Sequence, residues 1–308
     1  MSKKKFVTLN NNYKIPVIGL GTWRLKKDTV LEVIEFAINI AGYRHVDCAS
    51  IYGNEIAIGN AFHHVFSSGK VKREDVFVTS KLWNTEHHPK NVEKALRQSL
   101  NDLQLDYLDL YLMHWGIAFL PGNSLGQIGA NGLVKTEPVS VQQTWQAMEN
   151  LVAKGLVKSI GVANFTVPLI IDLLTSAKIK PVVNQVEIHP YNTQEELVNF
   201  CHKQKIQLVA YSPFGSSERS KHPKPLTDEL VDKVATSHHK TPAQILIRWA
   251  LQRGLVVIPK SAHPDRIQEN IHVFNFELSS NEMERINNLN RNLRFIDPVD
   301  WWGLSYFK

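Results

Sequence analysis

Eight short apolar segments alternate with helical patterns along this chain of 308 residues. The segments are rich in β-branched residues and are bounded by turn residues, which is typical of buried parallel strands. Eight strand-then-helix units in a chain of this size favour one α/β domain, a (β/α)8 TIM barrel over residues 1–308, rather than an open doubly wound sheet. No GxGxxG motif follows the first strand, which argues against a Rossmann fold. The predicted strands are 17–21, 44–49, 76–81, 107–114, 157–163, 182–188, 206–212 and 255–260.

Three further patterns describe the parts around these strands. Residues 6–9 and 13–15 flank three asparagines and predict an N-terminal β-hairpin. Residues 29–41 predict a helix that starts with a capping box of Thr29 and Glu32 and ends at Gly42. A second helix is predicted over 89–103, where apolar residues recur on one face.

The composition excludes several classes of protein. It is that of a globular protein, with 43% hydrophobic and 21% charged residues, and no apolar run approaches the ~20 residues that span a bilayer. Met1 to Lys5 is basic but is not followed by the apolar region of a signal peptide. Cys48 and Cys201 form no CxxC pair, and the net charge of +6 is modest and dispersed. We therefore predict a cytoplasmic protein with neither a membrane nor a nucleic-acid partner.

The residues at the carboxyl ends of barrel strands indicate the chemistry, because active sites form on that face. On the first four strands, Asp47 and His114 are the residues that could bind a metal, and Lys81 lies between them in sequence. A metal site is therefore not predicted. An amine nucleophile at Lys81 or Lys260 would instead indicate a Schiff-base lyase. The strand-end candidates are Thr22, Trp23, Asp47, Lys81, His114, Asn164, Gln185, Tyr211 and Lys260.

These strand ends carry motifs that together resemble the aldo-keto reductase family, including aldose, aldehyde and xylose reductases. The motifs occur in the family's order and span nearly the whole chain. The resemblance implies the barrel, with its N-terminal hairpin across the bottom and long loops on the carboxyl face. The matching motifs are GLGTW from Gly19, the stretch from Asp47 to Glu55, the strand-end Lys81, LMHW ending at Trp115, SIGVANF from Ser159, NQVEIHP from Asn184, YSPFG from Tyr211 and IPKS from Ile258.

The resemblance also implies a catalytic tetrad of Asp47, Tyr52, Lys81 and His114, which reduces a carbonyl with a hydride from nicotinamide. Tyr52 would donate the proton to the forming alkoxide. A free phenol has a pKa near ~10, so the ammonium of Lys81, paired with Asp47, would help by stabilising the phenolate. His114 would donate a hydrogen bond to the substrate oxygen.

The expected cofactor is NADPH, with NADH a weaker alternative. Lys260, Ser261 and Arg266 match the family positions that meet the adenosine 2′-phosphate, and two cations beside a hydroxyl suit a dianion. Tyr211 would stack on the nicotinamide, and backbone amides after it would line the pyrophosphate. The implied cofactor residues are Thr22, Trp23, Arg24, Asp47, Asn164, Gln185, Tyr211, Ser212, Pro213, Phe214, Gly215, Ser216, Glu218, Lys260, Ser261, His263, Arg266, Glu269 and Asn270.

The substrate is expected to be a small-molecule carbonyl compound held by aromatic walls. Such walls suit hydrophobic aldehydes and also stack on sugar faces. The tail LRFIDPVDW resembles that of fungal xylose reductases, but Ser50 stands where those enzymes have an acidic residue. Aldose reduction is thus the leading expectation and general aldehyde reduction the second. The expected substrate residues are Trp23, Tyr52, Trp83, His114, Trp115, Trp301 and Trp302, with segments 116–140, 212–227 and 295–308 over the pocket.

Three alternatives stay open at this point. A steroid double-bond reductase of the same family would have Glu in place of His114. A Schiff-base lyase would use Lys81 or Lys260. A non-catalytic NADP(H)-binding regulatory subunit, like those attached to potassium channels, would share the barrel, although little of this chain precedes the hairpin. The enzyme is expected to be a monomer or weak homodimer.

Overall fold

The computed structural model describes residues 5–215 and 222–307. Within them, eight parallel strands follow one another around a sheet in chain order. The strands are short because pairing ends where each chain segment turns outward into a loop. They are β3 (Leu20–Gly21), β4 (His45–Asp47), β5 (Phe77–Leu82), β6 (Leu110–Met113), β7 (Ile160–Ala163), β8 (Val183–Glu187), β9 (Gln207–Tyr211) and β10 (Val256–Val257). An antiparallel hairpin of β1 (Phe6–Thr8) and β2 (Lys14–Pro16) precedes them.

The sheet closes on itself between its first and last strands. Ile18 forms a parallel bridge with Val257, and the amide of Gly19 donates to the Val257 carbonyl at 2.9 Å. The amide of Gly21 donates to the Pro259 carbonyl at 3.0 Å. These bonds join β3 to β10 and confirm the predicted (β/α)8 barrel.

The hairpin covers the bottom of the barrel, as predicted. Its turn carries Asn10 and Asn11, whose side-chain amides donate to the Pro181 carbonyl at 3.0 Å and to Ser159 Oγ at 2.9 Å. Both acceptors precede a barrel strand. Ile15 of β2 is fully buried and helps to close the amino end of the barrel.

The helices pack outside the strands, with apolar faces inward and Ser or Thr at several first turns. Ser140, Thr241 and Ser279 each form a capping box with the glutamine or glutamate three residues later. Trp145 and Trp249 are almost completely buried between helices and sheet, so both are core residues. The helices of the described residues are α1 (Val30–Glu35), α2 (Glu55–Ser67), α3 (Pro89–Leu103), α4 (Val141–Ala153), α5 (Val167–Leu174), α6 (Glu195–Lys203), α7 (Glu229–His238), α8 (Pro242–Gln252), α9 (Pro264–Ile271), α10 (Ser280–Asn287) and α11 (Val299–Trp302).

The helix predicted over 29–41 differs from the expectation at its start and in its second half. The side chain of Thr29 caps no backbone amide, so the predicted capping box is wrong. Its hydroxyl donates instead to the Lys26 carbonyl at 3.2 Å. After α1 the chain continues as a π-helical turn over Phe36–Ile40, and Gly42 ends it with a φ of +84°.

Two long segments lie over the carboxyl ends of the strands and are joined to each other. These are the β6–α4 loop (residues 116–140) and the C-terminal segment (residues 295–307). The Val134 amide donates to the Trp302 carbonyl, and the Gly116 amide donates to Tyr306 Oη, both at 2.9 Å. The segment contains the short helix α11, which the sequence pattern did not predict. No helix of residues 5–215 or 222–307 is long and apolar enough to cross a membrane.

The contact between α2 and α3 supplies a test of the packing. A methyl group on Gly59 of α2 would clash with the Asp102 carbonyl oxygen and lie 2.8 Å from the Leu103 carbonyl carbon. Since backbone cannot move aside as a side chain can, Gly59→Ala should lower the free energy of unfolding by about 2 kcal/mol, despite the better helix propensity of alanine. Urea unfolding followed by circular dichroism measures it. His63→Ala on the exposed face of α2 is the control, and equal stabilities of the two variants would contradict the prediction.

Candidate active site

A buried ion pair lies at the mouth of the barrel. The Nζ of Lys81 donates to Asp47 Oδ2 at 2.6 Å, to the Cys48 carbonyl at 2.8 Å and to Tyr52 Oη at 3.3 Å. The strand register explains this meeting, because Asp47 of β4 pairs with Thr79 of β5 and Lys81 follows two residues later on the same face. Burial by itself lowers the pKa of Lys81, but the charge and hydrogen bond of Asp47 raise it above its usual value. Lys81 is therefore a fixed cation.

The opposite side of the barrel supports Asp47. Gln185 of β8 donates from Nε2 to Asp47 Oδ1 at 2.7 Å, so each carboxylate oxygen has a donor. Thr22 lies behind the same residue and donates from its hydroxyl to the Asp47 carbonyl at 2.8 Å. The orientation of Asp47 is thus set by three strands and one loop.

Tyr52 reaches the ion pair from a 3-10 turn, Ser50–Tyr52, which ends at Gly53 with a φ of +67°. This conformation favours glycine and directs the chain into α2. Burial raises the pKa of Tyr52 to about 12, and the neighbouring Lys81 opposes this rise. The expected stabilisation of the phenolate by Lys81 is therefore present, but the pKa of Tyr52 is raised overall, because burial disfavours the phenolate more strongly.

His114 follows β6 and faces both Tyr52 and Trp83, with ring centroids 6.0 and 5.0 Å away. Burial holds the pKa of His114 well below its usual value, and the charge of Lys81 lowers it further. The ring is therefore neutral. Its Nδ1 is buried and has no hydrogen-bond partner among the described residues. A proton on Nδ1 would be a buried unpaired donor, which favours the tautomer with the proton on Nε2.

Asn164 and Tyr211 form a hydrogen-bonded chain beside His114. Asn164 has a φ of +62° and donates from Nδ2 to the His114 carbonyl at 2.9 Å. The hydroxyl of Tyr211 donates to Asn164 Oδ1 at 2.8 Å. The polar atoms of these two side chains therefore hold each other, which fixes the ring of Tyr211 along one wall of the cleft.

These groups line one cleft of about 1430 Å³ that runs from the barrel mouth towards α9. A cleft of that size exceeds the usual volume of a small-ligand pocket and suits a dinucleotide together with a substrate. Two of the predicted residues, Thr22 and Lys81, do not line it, because their side chains are fully buried beside Asp47. Ser216 and Glu218 lie outside the described residues. The predicted residues that do line the cleft are Trp23, Arg24, Asp47, Tyr52, Trp83, His114, Trp115, Asn164, Gln185, Tyr211, Ser212, Pro213, Phe214, Gly215, Lys260, Ser261, His263, Arg266, Glu269, Asn270, Trp301 and Trp302.

Basic side chains concentrate at the end of the cleft formed by α9. Lys260, His263 and Arg266 are exposed there, around the buried Ser261. The hydroxyl of Ser261 accepts from the His263 amide at 3.1 Å. Three basic side chains beside a hydroxyl form a donor set that fits a dianionic phosphate.

The other end of the cleft is aromatic. Trp115 packs edge-to-face on Trp302 with a centroid distance of 5.0 Å, and Trp83 lies 6.3 Å from Trp302. The guanidinium of Arg24 lies over the ring of Trp23, 4.4 Å from the ring centroid. The polar residues of the cleft therefore lie near the Lys81–Asp47 ion pair, while the wall formed by the tryptophans is apolar.

Sequence reasoning did not identify several residues of the cleft. The long β6–α4 loop was expected over the pocket, but loop length does not show which side chains point inward. The indole N–H of Trp83 donates to the Ser124 carbonyl and so connects this loop to the aromatic wall. The additional lining residues are Gly21, Lys26, Ile51, Asn123, Leu125, Gly126, Ile128, Lys224, Leu226, Thr241, Pro242, Ala243, Ile258, Ala262 and Ile296.

Comparison with known proteins identifies the family of this chain. A family model described as the aldo/keto reductase family matches residues 17–291. Aldo-keto reductase family 1 member A1 of Gallus gallus is 50% identical over 299 residues, which is 96% of this chain and 91% of the relative. The Homo sapiens protein of that name is 47% identical over 298 residues, 95% of this chain and 91% of the relative. The structure of the aldose reductase from Schistosoma japonicum is similar over 99% of both chains, with 41% identity and a TM-score of 0.92.

The family model covers most of the chain, and the relatives share about half of its residues over nearly their full length. The barrel, the cleft at its carboxyl face and these matches lead to one conclusion. The chain belongs to the aldo/keto reductase family, and it is an oxidoreductase that acts on carbonyl groups with a nicotinamide cofactor.

Proposed function

We propose that this enzyme reduces aldehydes, including aldoses, to alcohols with NADPH, and that Tyr52 supplies the proton. One observation carries the proposal: Lys81 Nζ contacts both Asp47 Oδ2 and Tyr52 Oη, at 2.6 and 3.3 Å. Asp47 and Tyr52 line the large cleft, and Lys81 is completely buried next to them. A cation fixed beside a phenol is what a proton donor needs, since the charge stabilises the phenolate that remains after transfer.

The bound cofactor would supply the hydride. The roles of the protein side chains follow from their positions. Tyr52 Oη transfers its proton to the oxygen of the reduced carbonyl, and Lys81 stabilises the resulting phenolate. Asp47 keeps Lys81 charged and in place. The neutral His114, protonated on Nε2, donates a hydrogen bond that orients the carbonyl oxygen towards Tyr52.

The preference for NADPH is proposed from the charges around Ser261. NADPH differs from NADH by a 2′-phosphate. Lys260 and Arg266 offer that group positive partners, and His263 lines the cleft beside them. The backbone turn at Ser212 to Gly215 lines the middle of the cleft, where a pyrophosphate would lie. Glu269 and Asn270 would hold the adenine.

The proposed substrates are aldoses and hydrophobic aldehydes. The aromatic wall suits both, and Leu125, Ile128 and Ile296 add aliphatic surface at the same end of the cleft. Ser50, where xylose reductases have an acidic residue, donates its hydroxyl to the Lys81 carbonyl at 3.2 Å. This bond gives Ser50 a role in the local structure. The choice between a sugar and an aldehyde as substrate then depends on the residues that form the walls of the cleft.

The geometry disfavours the Schiff-base lyase at Lys81. An amine nucleophile must be neutral, whereas Lys81 donates three hydrogen bonds and has a raised pKa. We also propose a cytoplasmic location, which would suit two buried cysteines that form no disulfide.

Removal of one hydroxyl tests the proton donor. Tyr52→Phe should lower kcat for a carbonyl substrate at least about 100-fold, because general acid catalysis is lost. Absorbance at 340 nm measures NADPH oxidation with xylose and with an aromatic aldehyde. The control is Tyr107→Phe, a tyrosine between Arg73 and Lys158 before β6. Comparable turnover of the two variants would contradict the assignment.

Removal of one cation tests the cofactor preference. Arg266→Ala should raise the Kd for NADPH about tenfold or more and leave the Kd for NADH nearly unchanged, because a charge-assisted hydrogen bond to the 2′-phosphate is lost. Quenching of tryptophan fluorescence measures both constants. Arg285→Ala on α10, outside the cleft, is the control. An equal loss of affinity for both dinucleotides would contradict the 2′-phosphate assignment.

Neutralising Asp47 tests the ion pair. Asp47→Asn leaves the cation of Lys81 buried without its counter-charge, so the free energy of unfolding should fall by about 3 kcal/mol and turnover should be lost. Since the pKa of Lys81 is raised by folding, its stabilisation is present below the unfolded value and lost as pH rises through the folded one. The stability difference between variant and wild type should therefore shrink above pH ~10.4.

The matched control for that experiment is Asp109→Asn. Asp109 pairs with Arg73 at 2.8 Å and with Lys158 at 3.0 Å, and both partners are partly exposed. This variant should lose less stability and keep its turnover. A larger loss of stability for Asp109→Asn, or full activity in Asp47→Asn, would contradict the interpretation.

A further inference from the structure

A second buried carboxylate lies at the end of a barrel strand, and the proposed chemistry does not use it. Glu187 ends β8 and is completely buried. Its Oε1 accepts from the Phe295 amide at 2.7 Å and its Oε2 from the Ile296 amide at 2.9 Å. The Nε2 of His189 lies 2.8 Å from Oε1 as a further partner. A buried carboxylate is costly unless several donors satisfy it, and two of these donors are backbone groups of the C-terminal segment.

We propose that Glu187 is a positioning residue for the substrate wall. Its carboxylate fixes the start of the C-terminal segment on the barrel, and this sets the location of Ile296, Trp301 and Trp302 over the cleft. The inference adds a residue role to the proposed function. It rests on that function at one point, namely that the wall contacts a carbonyl substrate. Glu187 itself does not line the cleft.

The backbone of Glu187 holds the same segment through a second route. Its carbonyl accepts from Gln194 Nε2 at 2.7 Å, and Gln194 Oε1 accepts from Arg294 Nη2 at 2.9 Å. The guanidinium of Arg294 lies 3.8 Å from the ring centroid of Phe307 near the chain end. The strand end therefore binds residues 295 and 296 directly and residue 294 through Gln194, so the segment cannot shift along the barrel without breaking several bonds.

Only a few residues separate the backbone held by Glu187 from the aromatic wall, so fixing the one also fixes the other. Ile296 lines the cleft directly, and its amide is one of the two bound by the carboxylate. Helix α11 begins three residues later and carries Trp301 and Trp302, which also line the cleft. The Trp302 carbonyl accepts from Val134 of the β6–α4 loop, so the loop depends on the same anchor.

Glu149 of α4 provides a matched control within this chain. Its Oε1 accepts from two successive backbone amides, Lys178 at 2.7 Å and Ile179 at 2.8 Å. This is the same kind of interaction, a buried carboxylate on backbone N–H groups, but neither Glu149 nor the residues it binds line the cleft. Substitution of Glu149 thus reports the general effect of losing such an acceptor.

The test compares Glu187→Gln with Glu149→Gln in the full-length protein. A glutamine keeps the size of the side chain, but its NH2 group would face a hydrogen-bond donor where the carboxylate oxygen accepts a bond. We expect amide hydrogen exchange of residues 295–303, followed by mass spectrometry, to become at least about tenfold faster in Glu187→Gln only. We also expect its KM for an aromatic aldehyde to rise about tenfold, with the Kd for NADPH changed less than about twofold. If Glu187→Gln does not fold, Glu187→Asp, which retains the charge but is shorter, serves instead.

Three results would overturn the proposal. The first is unchanged exchange of residues 295–303 in Glu187→Gln. The second is faster exchange with an unchanged KM, which would mean that the segment does not shape the substrate site. The third is an equal rise in KM for Glu149→Gln, which would show a general effect of instability. Lack of carbonyl turnover in the wild type would instead contradict the proposed function, and exchange would still decide whether Glu187 anchors the segment.

Discussion

The buried cation of Lys81 is the constraint around which the mouth of the barrel is arranged. A lysine with no solvent exposure is stable only when its charge is matched and its N–H groups are bonded, and Asp47, the Cys48 carbonyl and Tyr52 provide this. Asp47 in turn needs Gln185 from the far side of the barrel. The ion pair therefore depends on a closed ring of strands, because an open sheet would not bring β8 opposite β4.

The same charge gives its neighbours different properties. Lys81 opposes the rise in the pKa of Tyr52 that burial causes, and it adds to the fall in the pKa of His114. The phenol is thereby helped to release a proton, while the imidazole stays neutral and able to donate one hydrogen bond. Two adjacent rings of similar burial thus acquire separate roles because one cation favours the anion of the first and disfavours the cation of the second.

The cleft combines two ends of opposite character on one rigid support. The end beside α9 presents cations around Ser261, and the end beneath the C-terminal segment presents tryptophans. The strands supply the polar residues between them, whereas the aromatic wall comes largely from segments joined to the barrel by a few hydrogen bonds. The bonds from Glu187 to the Phe295 and Ile296 amides are prominent among these. In the proposed function, substrate recognition therefore depends on the attachment of a segment far away in sequence, and the carbonyl chemistry depends on residues of the strands.

The sequence by itself determined the barrel and its strand-end residues. Eight apolar segments specify eight buried strands, and the positions of Asp47, Lys81 and His114 at or next to their carboxyl ends place them on one face. It did not determine whether Thr22 would line the cleft, which side chains of the β6–α4 loop would point inward, or that burial would outweigh Lys81 in setting the pKa of Tyr52. These outcomes depend on solvent exclusion and on contacts between residues distant in the chain. Local periodicity reports which face of a strand or helix is buried, but only the packed structure decides what lies against it.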